Sequence, residues 1–409
     1  MTHAIHDFSA KLRQPEVVDH LRTYVEWRKL VHEAEESGSA APTPPKQAPI
    51  SINLDLTVAC NYRCTHCIDW SILNTGHRLA DENLRESIRW MAAHGLRSII
   101  LIGGGEPTLY PEFVPFVQFL KQELKLQVAI VTNGSRGDKL QEAAAFMDEK
   151  DWIRLSLDAA SNDLFVAMHN PNSKAVNLDT ICADMRDLKA QHPAPKLGFS
   201  YVIVWSGATR EENSLHENIH EIVPAAKRAR EYGFDYISFK PVLERQSDGS
   251  EVMDPSKISN KENQVVARIR GEVNAAKELQ TSSFQVFESI NLRLLEENSW
   301  QEYTRQPRTC HMQALRQVLT PTGLFNCPAH RGVTKAKIAG KEAFAGANAA
   351  GETNAQLAGL LGSFDAQEEC SGVTCLYNKV NWWIDSMIED PRGATESIEA
   401  TAAGGDFFL

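Results

Sequence analysis

The sequence predicts an α/β fold, in which a parallel sheet with its crossover helices outside curls into a partial (β/α)6 barrel. The first observation is that short apolar stretches alternate with amphipathic stretches from residue 50 onward. The second is composition, because 409 residues with 43% hydrophobic side chains can bury a large core. The predicted strands are Ile50–Thr57, Ser98–Gly104, Val128–Asn133, Trp152–Asp158, Lys196–Val204 and Tyr236–Val242. The predicted helices are about Asp81–His94, Glu112–Leu124, Lys139–Glu149, Val176–Gln191 and His216–Tyr232.

Around this barrel, at residues 50–245, the sequence predicts further segments. Residues 1–49 form an amphipathic helix and a Pro-rich linker, and residues 246–305 form a helical connector. Residues 306–392 form a small Cys-rich C-terminal domain, which contains a hairpin that turns at Thr322 and Gly323. We also expect a mobile loop in the Ala- and Gly-rich residues 336–351 and a flexible tail at residues 393–409.

Charge and hydropathy exclude several classes of partner. The formal net charge is −11, and an acidic chain without a block of Lys and Arg repels nucleic acid. Apolar runs such as residues 98–102 are too short to span a membrane, and residues 1–13 lack the apolar stretch of a secretory signal. We therefore expect a cytoplasmic protein. In that reducing compartment the eight cysteines are poor evidence for disulfides, and their clustering favours metal binding.

The first cysteine group directly follows the first predicted strand. Cys60, Cys64 and Cys67 have the spacing C-x3-C-x2-C. A four-iron cluster usually takes four thiolates, so three cysteines leave one iron open for a substrate or cofactor. A zinc site of three cysteines completed by His66 is the alternative that spacing alone leaves open.

Further motifs follow the second, third and fourth predicted strands, where a barrel gathers its functional loops. Each has an ordinary structural explanation as a glycine turn, a helix start, a turn pair or a helix cap. Their order at successive strand ends, together with the cysteines, resembles the radical SAM superfamily over roughly residues 50–242. The motifs are Gly104-Gly105-Glu106-Pro107, Thr132-Asn133-Gly134 and Ser156-Leu157-Asp158.

The resemblance implies a [4Fe–4S] cluster on Cys60, Cys64 and Cys67, with S-adenosylmethionine (SAM) bound to the open iron. It implies that an electron, delivered by a flavodoxin- or ferredoxin-type protein, cleaves SAM. The resulting 5′-deoxyadenosyl radical then removes a hydrogen atom from the substrate. The implied cofactor-binding residues are His66 near the adenine, Gly104, Gly105 and Glu106 at the amino group, and Thr132, Asn133, Ser156 and Asp158 at the methionyl or ribose groups.

The second cysteine group follows the barrel, with 16, 42 and 4 residues between its successive members. Four thiolates fit a fully ligated four-iron cluster, and they also fit a structural zinc site. The arrangement resembles the twitch type of auxiliary-cluster domain, a shorter relative of the SPASM domain, which implies one auxiliary [4Fe–4S] cluster. The final x4 spacing departs from the commonest form of that domain. The four cysteines are Cys310, Cys327, Cys370 and Cys375.

The resemblance favours a radical SAM oxidoreductase that oxidises or epimerises a small polar, sugar- or aminocyclitol-like metabolite. A maturase of a ribosomally made peptide is the alternative, and a non-catalytic iron–sulfur or zinc scaffold is an alternative of another class. Lys240, at the sixth strand end, is the candidate catalytic residue, which can face the substrate or take a proton; a salt-bridged barrel lysine is the structural alternative. Cys182 lies at a helical core position, so we expect it to be structural.

Overall fold

The computed structural model of this protein describes residues 7–210, 213–246, 249–253, 262–402 and 404–409. It is built on a ten-stranded sheet in the order β7-β6-β5-β4-β3-β2-β1-β8-β9-β10. The strands are β1 Ser51–Asp55, β2 Ser98–Ile102, β3 Gln127–Thr132, β4 Trp152–Ser156, β5 Lys196–Ile203, β6 Tyr236–Pro241, β7 Gln285–Glu288, β8 Arg316–Thr320, β9 Gly323–Phe325 and β10 Lys337–Ala339. Each neighbouring pair from β7 to β8 is parallel, whereas β9 and β10 pair antiparallel at the edge.

Helices cover the outside of this sheet. Most of them connect successive parallel strands, as the right-handed crossover rule requires. The helices are α1 Phe8–Leu12, α2 Val18–Ser37, α3 Asp81–Ala93, α4 Phe113–Gln118, α5 Gly137–Ala144, α6 Asn162–His169, α7 Leu178–Gln191, α8 Ile222–Glu231, α9 Glu262–Lys277, α10 Ile290–Glu297, α11 Met312–Leu315, α12 Gly346–Ser363, α13 Ala366–Glu369, α14 Asn378–Glu389 and α15 Ala394–Ser397. No helix in the described part of the chain is long and apolar enough to cross a membrane.

The predicted α/β barrel and all six of its strands are confirmed. The structure adds two parallel strands. β7 comes from the segment predicted as a helical connector and extends the sheet beyond β6. β8 is the first strand of the predicted hairpin, and it pairs in parallel with β1. The Cys-rich segment therefore shares the main sheet. The expected mobile loop is wrong in part, because β10 and the start of α12 occupy it; alanine is a strong helix former.

The expectation of a flexible tail is also wrong, since the last residues pack into the amino-terminal end of the barrel. Ser98 Oγ donates to the carbonyl of Phe407 over 2.7 Å, and Lys11 Nζ donates to that of Phe408 over 2.6 Å. The Phe408 ring lies edge-on to Trp152 with 5.5 Å between centroids. Ser98 and Trp152 are the first residues of β2 and β4, so the tail closes this end of the sheet.

Side chains alternate between the two faces of each strand. In β4, Ile153 and Leu155 are fully buried beneath the helices, whereas Arg154 and Ser156 are half-buried on the concave face. The carboxyl ends of the parallel strands meet at one edge, which brings the predicted motifs together above this concave face.

Candidate active site

The first cysteine group lies in the loop after β1, where all three thiols are half-buried. Burial raises the pKa of the Cys64 thiol well above its usual value, and the neighbouring Cys67 and Cys60 raise it further. Burial also raises the pKa of Cys67 to about 12. Thiols that oppose one another's ionisation in this way are stabilised as thiolates when a metal centre binds them. The donor set therefore fits a metal or iron–sulfur centre.

A histidine that the sequence did not reveal contacts this group. His169, the last residue of α6, places Nδ1 3.2 Å from the sulfur of Cys64. Its Nε2 donates to the carbonyl of Leu157 over 2.8 Å, which fixes the ring orientation. Burial lowers the pKa of His169 to about 4. No motif identifies this contact, because it joins residues 105 positions apart through a helix that was not predicted.

His66 and Asp158, both predicted to bind the cofactor, contact each other. His66 Nε2 lies 3.0 Å from Asp158 Oδ2, and the Val202 amide donates to Asp158 Oδ1 over 2.6 Å. Burial would raise the pKa of Asp158, but the hydrogen bond and charge of His66 outweigh it, so this pKa is lowered. With His169, these side chains place three potential ligand atoms within 4.8 Å of one another.

Glu106 joins the ends of β2 and β3. Its Oε1 accepts from the hydroxyls of Thr108 at 2.6 Å and Thr132 at 2.7 Å, and its Oε2 accepts from the Asn133 amide at 2.7 Å. The Asn133 side chain in turn donates to Asn61 Oδ1 over 2.9 Å, within the cysteine loop. Three residues predicted to contact SAM thus use their side chains to hold the motif loops together.

The glycines before Glu106 lie where two loops approach closely. A Cβ atom on Gly105 would lie 2.3 Å from the carbonyl oxygen of Ala59, in the residue before Cys60. A Cβ atom on Gly104 would lie 2.9 Å from the Ile72 side chain. At position 105 only glycine permits this contact between the β2 end and the cysteine loop, because the neighbouring atom belongs to the backbone. At position 104 the neighbour is the end of a side chain, which can move.

The second cysteine group is assembled by residues far apart in the chain. Cys310, Cys327, Cys370 and Cys375 line a single small cavity, whose other walls include Met312, Phe364, Val373 and Tyr377. Burial raises the pKa of all four thiols, and for Cys370 the other three thiols raise it further. Four cysteines around one small cavity, one of them buried and three half-buried, fit the donor set of a cluster or a zinc ion.

Two histidines near this group occupy different positions. His330 Nε2 lies 3.4 Å from the Cys370 sulfur. His311 is buried behind the cavity, where Nδ1 is 2.9 Å from the Tyr24 hydroxyl and Nε2 is 3.1 Å from Asp385. His311 therefore connects α2 to the C-terminal helices.

Arg331 connects the two cysteine groups. It follows Cys327 by four residues, and its guanidinium donates to Asp69 Oδ2 over 2.6 Å and to the Gly103 carbonyl over 3.1 Å. It also lies 3.3 Å from Asp55 Oδ2 at the end of β1. Burial raises the pKa of Asp55 to about 7, although Arg331 opposes that shift. These charged side chains line a cavity of about 540 Å³.

Comparisons with known proteins identify the same region. The family model of the Radical SAM superfamily matches residues 54–192. The S-adenosylmethionine-dependent nucleotide dehydratase of Thermoplasmatales archaeon (strain ISO4-H5) is 34% identical over 109 residues, 27% of this chain and 38% of that protein. Mycofactocin maturase MftC of Mycobacterium ulcerans (strain Agy99) is 30% identical over 131 residues, 32% of this chain and 34% of that protein.

The fold similarity extends further along the chain. The crystal structure of Streptococcus suis SuiB bound to S-adenosylmethionine matches with a TM-score of 0.52 at 17% identity, covering 76% of this chain and 66% of that one. At this identity the match concerns the fold alone. The chain spans between a third and two fifths of the length of these two curated relatives.

Proposed function

Because residues 54–192 match the family model of the Radical SAM superfamily, we propose that Cys60, Cys64 and Cys67 hold the [4Fe–4S] cluster of that family and leave one iron for SAM. The observation that carries this proposal is the convergence of the cysteine loop and the ends of β2, β3 and β4 through direct contacts. When bound, the cluster and SAM supply an electron and a 5′-deoxyadenosyl radical that abstracts a substrate hydrogen.

The residues around this site have distinct proposed roles. Gly104 and Gly105 allow the β2 end to approach the cysteine loop, and Glu106 fixes the β3 end through Thr132 and Asn133. Gly104, Gly105, Glu106, Thr132 and Asn133 present backbone groups to the amino and carboxylate groups of SAM. His66, held by Asp158, offers a ring face for the adenine, and Ser156 adds a hydroxyl on the concave face.

We further propose that the second cysteine group holds an auxiliary [4Fe–4S] cluster. The support is its set of four buried or half-buried cysteines around one cavity. A cluster whose four ligands all come from protein can accept an electron when bound. Asn381 Nδ2 donates to the Cys310 sulfur over 3.6 Å, a contact that stabilises charge on that sulfur.

The proposed reaction is the oxidation or epimerisation of a small polar metabolite, with electrons supplied by a flavodoxin- or ferredoxin-type protein. The half-buried polar groups on the concave face suit such a substrate, and one relative acts as a nucleotide dehydratase. Maturation of a peptide is the second candidate, favoured by the similarity to a mycofactocin maturase. We also propose a cytoplasmic location, because a reducing compartment keeps cysteines available as thiolate ligands for the two proposed clusters.

Anaerobic reconstitution with iron and sulfide, followed by SAM and dithionite, tests the chemistry. We expect 5′-deoxyadenosine from the wild-type protein and none from Cys60→Ala. Cys182→Ala is the matched control, because Cys182 is a buried cysteine on α7 outside both groups. A protein that holds zinc in the first loop and leaves SAM intact is instead a metal scaffold.

Iron content tests the auxiliary cluster. Two four-iron clusters give about eight irons per chain, and the double variant Cys370→Ala/Cys375→Ala should retain about four. An unchanged iron content would contradict the assignment of these ligands. Deuterium transfer from labelled candidate metabolites or peptides into 5′-deoxyadenosine then separates the two substrate classes.

A further inference from the structure

Two cations face the concave side of the barrel from neighbouring parts of the sheet. Arg154 lies on β4 and Lys240 lies on β6, with β5 between these two strands. Both side chains are half-buried at alternate positions, whereas their strand neighbours Leu155 and Phe239 are fully buried beneath the helices. The Arg154 guanidinium lies 5.2 Å from the Trp152 ring, two residues earlier on the same strand face.

Neither cation forms an ion pair with a carboxylate within the described ranges of the chain. Arg154 Nε is buried and makes no hydrogen bond to any described residue, and the same is true of Ser200 Oγ. Ser200 lies on β5 in register with Ser156 and Ser238, so it shares the concave face with both cations. Buried polar groups without partners are costly, and two of them on one face, beside the ammonium group of Lys240, mark a position where a ligand would supply the partners.

The electrostatics of Lys240 agree with this geometry. Burial and, to a smaller extent, the charge of Arg154 lower its pKa to about 8, while the charge of Asp158 opposes the shift. Asp158 is itself bound to His66 and to the Val202 amide. An anion between the two cations would offset both the burial and the mutual repulsion.

We propose that Arg154, Lys240 and Ser200 bind an anionic group of the substrate, a phosphate or a carboxylate, inside the barrel. This inference rests on the proposed function, because it assigns the substrate class of that site. Guanidinium offers paired donors to such oxygens, ammonium adds a point charge, and a serine hydroxyl donates a further hydrogen bond.

The depth of Arg154 separates it from the proposed SAM contacts. Those contacts lie at strand ends, and Ser156 is the last residue of β4. Arg154 precedes Ser156 by two residues, which places it one side-chain layer deeper in the barrel. The strand register places Ser200 between Arg154, one side-chain layer deeper, and Lys240, one layer nearer the strand ends. The anionic group of the substrate would thus lie at the level of Ser200, with Arg154 beneath it and Lys240 above it.

The test is calorimetric titration of the reconstituted, SAM-bound protein with inorganic phosphate and, separately, with malonate. We expect wild-type protein to bind at least one of these anions, and Arg154→Gln and Lys240→Met each to weaken that binding tenfold or more. Phosphate binding alone indicates a phosphate ester, and malonate binding alone indicates a carboxylate. The matched controls are Arg186→Gln and Lys139→Met at the surface, which should leave anion binding unchanged.

Charge-preserving variants serve as controls for loss of binding through misfolding. Arg154→Lys and Lys240→Arg should fold and retain more anion binding than the neutral variants. The proposal is overturned if wild-type protein binds neither anion, if the neutral variants bind as the wild type does, or if they weaken SAM binding instead, which would assign both cations to the cofactor. Formation of 5′-deoxyadenosine in the same samples tests the proposed function separately, because anion binding is measured without turnover.

Discussion

Replacing Arg331 by Met removes a buried guanidinium while keeping most of its apolar stem. The side chain is 8% exposed. Its Nη1 lies 2.6 Å from Asp69, and its Nε lies 3.3 Å from Asp55, which is 1% exposed. The variant therefore leaves two buried carboxylates with less compensation, and it also removes the donor to the Gly103 carbonyl.

The expected loss of stability depends on the charged partners that the two carboxylates keep in the variant. Removing one member of a buried ion pair costs about 3–5 kcal/mol. Arg245 stays 3.3 Å from Asp69, which keeps the expected loss near the lower end, at about 3 kcal/mol. With an unfolding entropy of about 2 cal/mol/K per residue, a loss of this size lowers Tm by about 3–4 °C for this chain.

The assay is thermal unfolding followed by circular dichroism at pH 8, where Asp55 is largely ionised. Adding Asp55→Asn to Arg331→Met should recover at least half of the lost Tm, because it removes a stranded charge. Arg392→Met is the control, since Arg392 pairs with Asp390 at the surface and is 59% exposed. A Tm for Arg331→Met within 1 °C of wild type, or a double variant that is no more stable, would refute the reasoning.

Three further predictions follow. Phe408→Ala should lower the free energy of unfolding by about 3 kcal/mol in urea titrations, because it removes a buried ring that packs on Trp152; a change below 1 kcal/mol would contradict the docked tail. Glu106→Gln should lower the free energy of unfolding by about 1–3 kcal/mol and weaken SAM binding measured by calorimetry. The glutamine side chain has one oxygen in place of two, so it cannot accept from every donor that Glu106 serves, the Asn133 amide included. Burial raises the pKa of Asp55 from about 3.9 in the unfolded chain to about 7 in the folded protein, so the folded state loses stability as pH rises through this range. Asp55→Asn should therefore flatten the profile of Tm against pH there.

The six barrel strands could be predicted because each is a short apolar run bounded by polar residues. β7 could not, since Gln285–Glu288 has only two apolar residues between its polar ends, and it pairs with β6 at the edge of the sheet formed by the described residues. β8 was predicted as part of a hairpin, but its parallel pairing with β1 depends on residues about 265 positions apart. The docking of the tail depends in the same way on distant contacts that no local pattern encodes.

In the candidate site too, local sequence patterns could be predicted and contacts between distant residues could not. The first cysteine group and the strand-end motifs could be recognised in the sequence because the spacing within each is local. The contact of His169 with Cys64 and the ion pairs of Arg331 were not, because nothing near either residue indicates its distant partner. Arg154 could not be predicted either. A single arginine on a predicted strand has no distinctive pattern, and only the structure shows that its Nε is buried and makes no hydrogen bond to a described residue.

The segment from Cys327 to Arg331 explains why both cysteine groups belong to one structural unit. Cys327 lines the second cavity, and four residues later Arg331 binds Asp69, which follows Cys67 by two residues. β8, from the same C-terminal part, pairs with β1, which leads into the loop that carries Cys60. A shift of the C-terminal part would therefore move the first loop through two independent connections, one of backbone hydrogen bonds and one of buried charge. The distance between the two groups is thus set by the sheet and by Arg331. If each group holds the cluster proposed for it, this fixed distance is what electron transfer between the two clusters would require.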